Sequence, residues 1–316
     1  MRNGTPDRPR LELVPGRPLR LGGAHDALSA CLVEQAGFPA VWLSGFGVAA
    51  AQFDLPDANL VTLSESAEAA RRAVAAVGIP VVVDGDNGFG DAFHAARAAR
   101  EYGAAGAAAV CLEDNAFPKR CSLWASAPRT LVAPDEMAAK IAAAKKAAEP
   151  YGTLIIGRVE SLIAGLGPED ALARARLYAD AGADAILVHA RAFAPLREIA
   201  RSGRVPRPLV AVPTLYPEIP FSELADAGFA AVVYANQLLR AMVRAGRAVL
   251  SLLRRAETLS EVEPMISPLE EINRLVRVPP EWFIEKPQHG GNGHDARNPE
   301  DVPADADPRG HHAARR

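Results

Sequence analysis

Short apolar runs rich in Val, Ile and Leu alternate along this chain with longer Ala-, Glu- and Arg-rich stretches of helical period. The runs centre on Leu19–Ala24, Ala40–Ser44, Pro80–Asp84, Ala108–Glu113, Leu154–Arg158, Ala185–His189, Leu209–Pro213 and Ala230–Ala235. They are apolar along their whole length instead of alternating, as in strands covered on both faces of a parallel sheet. Helices are expected over Ser64–Val77, Asp91–Tyr102, Asp135–Ala148, Pro168–Ala181 and Phe221–Ala227, with Ser64 and Asp135 as caps and Pro168 in a first turn. Eight such strand–helix units predict an α/β fold of the (β/α)8 TIM-barrel type. A doubly wound open sheet is the rival, but no Gly-rich phosphate loop follows the first run.

After Tyr234 the pattern turns helical, with one long amphipathic helix expected over Asn236–Glu257 and another over Ile266–Val276. Residues 1–18 carry four prolines and read as a flexible N-terminal arm. Residues 19–286 read as a single catalytic barrel domain with C-terminal helices. Residues 287–316 hold four of the seven His and almost no large apolar side chain, so a disordered tail is expected, with His311 and His312 part of it.

Composition narrows the function. Of the 316 residues, 49% are hydrophobic and 23% charged, with a net charge of -3. That balance disfavours bulk nucleic-acid binding and gives no polybasic handle for a membrane. No apolar run is long enough to span a bilayer, and the polar, Pro-rich N-terminus lacks a signal-peptide core. Three cysteines do not make a disulfide framework, so a cytoplasmic location is expected.

In a barrel the strand C-termini carry the chemistry. Here they close on Ser44-Gly45, Asp84-Gly85-Asp86, Glu113-Asp114, Arg158 with Glu160, His189, Thr214 and Asn236. Apolar strands that end in such groups place a ring of acids, Arg and His around one rim. Asp84, Asp86, Glu113 and Asp57 supply hard oxygens without Cys or His at metal-ligand spacing, which suits Mg2+ and disfavours zinc. Asp57 also reads as ordinary turn chemistry in LeuProAsp57Ala. Arg158 and His189 suit a phosphonate, phosphate or carboxylate. The alternatives are an Arg158–Glu160 ion pair and a core histidine. The long connection from Glu113 to Pro134 reads as a lid carrying Lys119, Arg120 and Cys121 together, an arrangement that favours the Cys121 thiolate. Cys31 and Cys111 sit in apolar contexts and read as core.

Those motifs, in this order and spacing, resemble the isocitrate lyase / phosphoenolpyruvate mutase superfamily over residues 19–285. Its phosphoenolpyruvate mutase / phosphonopyruvate hydrolase branch is the nearest match. The motifs are Ser44-Gly45, LeuProAsp57, AspGlyAsp86AsnGlyPheGly, Glu113Asp114 with PheProLys119, GlyArg158ValGlu, LeuValHis189, ValProThr214 and TyrAlaAsn236. The resemblance implies a barrel whose last helix is exchanged with a neighbour, in a homodimer or homotetramer. It implies direct binding of Mg2+, with Mn2+ as a substitute, by Asp84, and binding through water by Asp57, Asp86 and Glu113. Ser44, Gly45 and the backbone near Phe46 would grip the pyruvoyl part, Arg158 and His189 the phosphoryl or phosphonyl group, and Lys119 would sit on the gating loop. Arg120, Thr214 and Asn236 complete the expected substrate contacts.

Two departures set this chain apart. Asn115 stands where the mutases have Lys, and Cys121 where they have the Asn that steers the phosphoryl group. Lys119-Arg120-Cys121 is instead similar to the loop of the 2-methylisocitrate-type lyases, while Arg158-Val159-Glu160 and His189 are of the mutase/hydrolase kind. The implied substrate is a small 2-oxo acid or enolpyruvate. The implied activity is an isomerase (phosphomutase) or hydrolase acting on the C–P bond of phosphonopyruvate. The alternatives are a C–C lyase or decarboxylase on a 2-methylisocitrate-, dimethylmalate- or oxaloacetate-like acid, with Cys121 as proton donor, and a catalytically silent homologue.

Overall fold

Eight parallel strands close on one another in chain order, and the first pairs with the last through Leu19 and Ala231. The computed structural model describes residues 9–122 and 130–276. Its strands are β1 (Leu19–Ala24), β2 (Ala40–Leu43), β3 (Val81–Asp84), β4 (Ala109–Glu113), β5 (Leu154–Val159), β6 (Ala185–Val188), β7 (Leu209–Ala211) and β8 (Ala231–Tyr234). Around them run α1 (Ala27–Gln35), α2 (Gly45–Phe53), α3 (Leu63–Ala76), α4 (Ala92–Ala105), α5 (Pro134–Ala148), α6 (Ser161–Ala164), α7 (Gly167–Asp180), α8 (Phe193–Arg201) and α9 (Phe221–Asp226). Then α10 (Gln237–Leu253) and α11 (Leu269–Leu275) follow β8. The expected barrel is therefore present, with every expected strand found to within two residues at either end.

The uniformly apolar strands serve two cores. Alternate residues Leu21, Trp42, Val82, Cys111, Ile156, Leu187, Val210 and Val233 fill the barrel interior. Their neighbours Val41, Val83, Val110, Ile155, Ile186 and Val232 pack outward against the helices. Successive strand side chains point to opposite faces, so both faces must be apolar.

Several helix boundaries differ from expectation for local reasons. Thr62, not Ser64, caps α3, because Glu65 lies three residues on and reaches back to the Thr62 amide at 2.8 Å in a capping box. Helix α5 starts on Pro134 with no side-chain cap, and Asp135 lies inside its acidic first turn. The helix expected at Ile266–Val276 is shorter, since Pro268 precedes its first turn. The arm expected to be loose is tied down in its described part. Leu11 is buried in the barrel-interior cluster, and the Gly16 amide donates to the Phe229 carbonyl at 3.1 Å. Residues 287–316, with His311 and His312, lie outside the described residues.

Helix α10 packs Leu238 against the core around the barrel. None of its residues is buried, and Met242, Val243, Leu250 and Leu253 are exposed. No helix among the described residues is long and apolar enough to cross a membrane.

Candidate active site

The strand period that fills the barrel also aims its polar ends. Asp84, Glu113, Arg158 and His189 each lie two residues beyond an interior residue (Val82, Cys111, Ile156, Leu187), on the same face of the strand. All four line one cleft at the C-terminal rim, with Ser44, Phe46, Asp57, Lys119, Cys121, Thr214 and Asn236. The cleft and its mouth take up about 610 Å³, ample for a small acid. Trp42, Ser122, Val212 and Ala235 complete the lining.

Two loops shape the acidic side. Ser44 caps α2, accepting the Gly47 amide at 3.2 Å, so the free N-terminus of that helix opens onto the cleft beside Phe46. Gly45 stays small for a reason: a Cβ there would come within 3.0 Å of Asp86 Oδ1 and 3.5 Å of the Asp84 carboxyl carbon. Asp86 itself has φ of 50°, a left-handed backbone that a side chain adopts at a cost. Asp86 does not line the cleft. It sits behind it, pushed up to about 7 by burial, with Asp84 and Asp57 adding repulsion and Lys119 opposing. Glu113 is raised by burial as well, against the pull of Arg158 and Lys119.

Lys119 reaches into this acid cluster. Its ammonium is 2.7 Å from Asp57 Oδ1 and bonds Asp86 Oδ1, while its amide donates to Asn59 Oδ1 at 2.6 Å. Asp57 and Asp86 hold the Lys119 ammonium well above its usual range in spite of burial. Asp57 is thus more than a turn residue. Among the described residues no three acids, histidines or cysteines converge as a ready metal shell. The chemistry of the donor set nonetheless fits a hard divalent ion: carboxylate oxygens gathered together, with burial raising Asp86 and Glu113 against the pull of Lys119 and Arg158.

The opposite side is cationic. Arg158 is 2.6 Å from Glu160 Oε1 and 3.3 Å from Glu113 Oε2, and donates to Ser122 Oγ at 3.2 Å. His189 Nδ1 is 2.8 Å from the same Glu160 oxygen. Arg158 Nη2 lies 3.0 Å from the same ring nitrogen, so Nδ1 accepts from the guanidinium in one tautomer and donates to Glu160 in the other. Burial works against both charges, yet Arg158 and His189 hold Glu160 well below the usual carboxylate range. The Glu160 carboxylate therefore holds the guanidinium and the imidazole together at the cleft wall.

The two cationic neighbours of Cys121 make bonds of their own. Lys119 is spent on Asp57 and Asp86, and the exposed Arg120 bonds the Lys119 carbonyl at 3.2 Å. Arg120 does not line the cleft, whereas Cys121 is buried against it. Among the described residues, three buried polar atoms of the cleft lack a hydrogen-bond partner: Trp42 Nε1, Thr214 Oγ1 and Asn236 Oδ1. Such atoms face a ligand or water in a working site. Trp42 escaped sequence reasoning because it reads as strand filler, although it lies two residues before Ser44 on the same face. Ser122 and Asn59 follow Cys121 and Asp57 closely, but no motif marks them.

The phosphoenolpyruvate phosphomutase family model matches residues 12–254. The chain belongs to that family. It is 40% identical over 269 residues to phosphonopyruvate hydrolase of Variovorax sp. (strain Pal2), covering 84% of this chain and 92% of the relative. It is 38% identical over 240 residues to 2-methylisocitrate lyase of Bacillus subtilis (strain 168), covering 75% and 77%. A crystal structure of phosphonopyruvate hydrolase with oxalate and Mg++ superposes with a TM-score of 0.76 at 38% identity, over 82% of this chain and 90% of that one. This member of the phosphoenolpyruvate phosphomutase family is accordingly an enzyme of the isocitrate lyase superfamily with the barrel expected of it. Family membership alone leaves the bond it breaks open, since relatives of both chemistries match at similar identity.

Proposed function

We propose that this enzyme breaks or moves the C–P bond of phosphonopyruvate, by hydrolysis or by phosphoenolpyruvate/phosphonopyruvate interconversion, in the cytoplasm. The observation that carries the reading is the Arg158–Glu160–His189 constellation, which sets a guanidinium and an imidazole side by side at the cleft wall. Such a pair suits a phosphonate, whose oxygens accept several donors at once. The pyruvoyl carboxylate takes the N-terminus of α2 at Ser44, Gly45 and Phe46. Asp84 would hold Mg2+, or Mn2+ in its place, with Asp57, Asp86 and Glu113 behind it. When bound, the ion polarises the pyruvoyl carbonyl and offsets the charge that develops as the bond to C3 breaks. Thr214 and Asn236 supply the remaining polar contacts. Lys119 latches the lid to Asp57, Asp86 and Asn59, which shuts water out until the phosphoryl group is placed.

In either C–P reaction the electron pair of the C–P bond stays with C3, giving the pyruvate enolate. Phosphorus then passes to water or to the enolate oxygen. A C–C lyase or decarboxylase is the second reading, favoured by Cys121 at the cleft wall, where a thiol suits proton delivery to a nascent carbanion. Phosphorus and proton NMR of the purified protein with phosphonopyruvate, phosphoenolpyruvate, oxaloacetate and 2-methylisocitrate separates the readings. With Mg2+ the expected result is phosphate plus pyruvate, or phosphoenolpyruvate, from phosphonopyruvate. EDTA is expected to abolish it. Turnover of only the carbon acids sinks the C–P assignment.

We propose further that residues 19–286 act as one catalytic domain in a homodimer or homotetramer. The unburied apolar residues of α10 support this, since such a face is covered in most stable proteins. Sedimentation should give a multiple of 33.4 kDa, and Leu250→Glu should shift it toward the single chain. A parent protein that sediments as one chain removes the proposal.

A further inference from the structure

Adjacent acids at the end of β4 face opposite sides of the sheet. Glu113 points into the barrel and the cleft, while Asp114 points out toward the helices and is fully buried there. The cleft chemistry uses the first and leaves the second unexplained. A buried carboxylate is costly unless its oxygens are satisfied, and here they are fully engaged. Asp114 Oδ1 accepts the Glu160 amide at 2.9 Å. Asp114 Oδ2 accepts the Tyr178 hydroxyl at 2.8 Å and Arg174 at 3.2 Å.

The partners connect two working parts. Arg174 also donates to the Val132 carbonyl at 2.9 Å, and the Val132 amide donates to the Asp114 carbonyl at 2.9 Å. Val132 belongs to the returning leg of the lid, and Asp114 to the departing leg. Asn115 and Leu131 bridge the same two legs. On the other side, the Glu160 amide held by Asp114 belongs to the residue whose carboxylate lies against Arg158, His189 and Ser122.

We propose that Asp114, clasped by Arg174 and Tyr178, is a positioning residue that aims the Glu160 carboxylate between Arg158 and His189 and ties both lid legs to that pocket. It touches no substrate. It acts through a backbone amide on one side and through the lid root on the other. The proposal rests on the reading of Arg158 and His189 as the anion grip, and the test separates the two.

Asp114→Asn keeps the side-chain shape, but in either amide orientation its nitrogen would face a group that can only donate, Arg174 on one side or the Glu160 amide on the other. Tyr178→Phe removes one hydroxyl and is the milder variant. Both are compared with the parent as full-length, Mg2+-saturated enzyme, using phosphonopyruvate for kinetics and nitrogen-15 NMR of labelled histidine for the His189 ring. The expected result is a fall in kcat of at least about tenfold in Asp114→Asn, with KM changed by less and the His189 resonances moved. Tyr178→Phe should move both in the same direction by less, and it carries the test should Asp114→Asn fail to fold. A lowered melting temperature with parent kcat and parent His189 resonances means a merely structural role and overturns the proposal. Should Arg158→Lys bind phosphonopyruvate as the parent does, the anion grip is wrong. A His189 shift in Tyr178→Phe would still support the Asp114 linkage.

Discussion

Arg158→Lys should lower kcat/KM for phosphonopyruvate by at least about 100-fold, or about 2.7 kcal/mol of transition-state stabilisation. The size follows from what the guanidinium spans. It reaches Glu160, Glu113, Ser122 and His189 at the same time, with distances of 2.6 to 3.3 Å. An ammonium is a point charge on a flexible stem and cannot keep that fork. One of the two buried carboxylates then loses its partner, and breaking a buried pair costs about 3–5 kcal/mol, so the melting temperature should fall too. Activity must therefore be normalised to folded protein, with phosphate release or phosphorus NMR as the assay. A folded variant within twofold of the parent would remove the phosphonate grip from the account.

Asp84→Asn should be more severe for turnover and milder for the fold. A loss of about 1,000-fold or more is expected, equivalent to about 4 kcal/mol, because a Lewis acid held there supplies several kcal/mol of charge stabilisation. Calorimetric titration with Mg2+ or Mn2+ should lose its binding signal. The apo variant should be at least as stable as the apo parent. Asp84 adds like-charge repulsion to the desolvation that already disfavours the Asp86 carboxylate, and the Asn side chain removes that charge. Thermal melts without metal check this second half. Parent-like titration with Mg2+ would reassign the direct ligand to another of the acids.

Lys119 sharpens that expectation. Its ammonium already answers two acids of the cluster, Asp57 and Asp86, while Asp57, Asp84 and Glu113 line the cleft. Two of the four carboxylates therefore share the Lys119 ammonium, and a third, Glu113, has Arg158 at 3.3 Å. Nothing in the order of the residues announces this sharing, because Lys119 lies 62 positions from Asp57 and 33 from Asp86 along the chain.

Much of the molecule was legible in its residues. Eight apolar runs, uniform instead of alternating, demand a parallel sheet with two covered faces, and eight such units close a barrel. The polar residue that ends each run marks the rim, so Asp84, Glu113, Arg158 and His189 were recognisable as neighbours before any coordinates. This works because strand direction and the two-residue period are local properties of the backbone, written directly in the sequence. Which of two adjacent polar residues faces the cleft is not legible in a uniformly apolar strand, where neither parity is marked. Glu113 and Asp114 look alike in the chain and part to opposite sides of the sheet. Cys121 beside Lys119 and Arg120 reads as an activated thiol, and the chain order does not show that Lys119 reaches Asp57 and Asp86 while Arg120 bonds the Lys119 carbonyl. Thr62 took the cap from Ser64 because a glutamate three residues on completed a reciprocal pair. The Asp114–Arg174–Tyr178 clasp joins residues some 60 positions apart, and only packing of α7 on the sheet brings them together. Periodicity settles what the backbone does over a few residues. Long side chains and distant partners find each other only once the chain has closed into three dimensions.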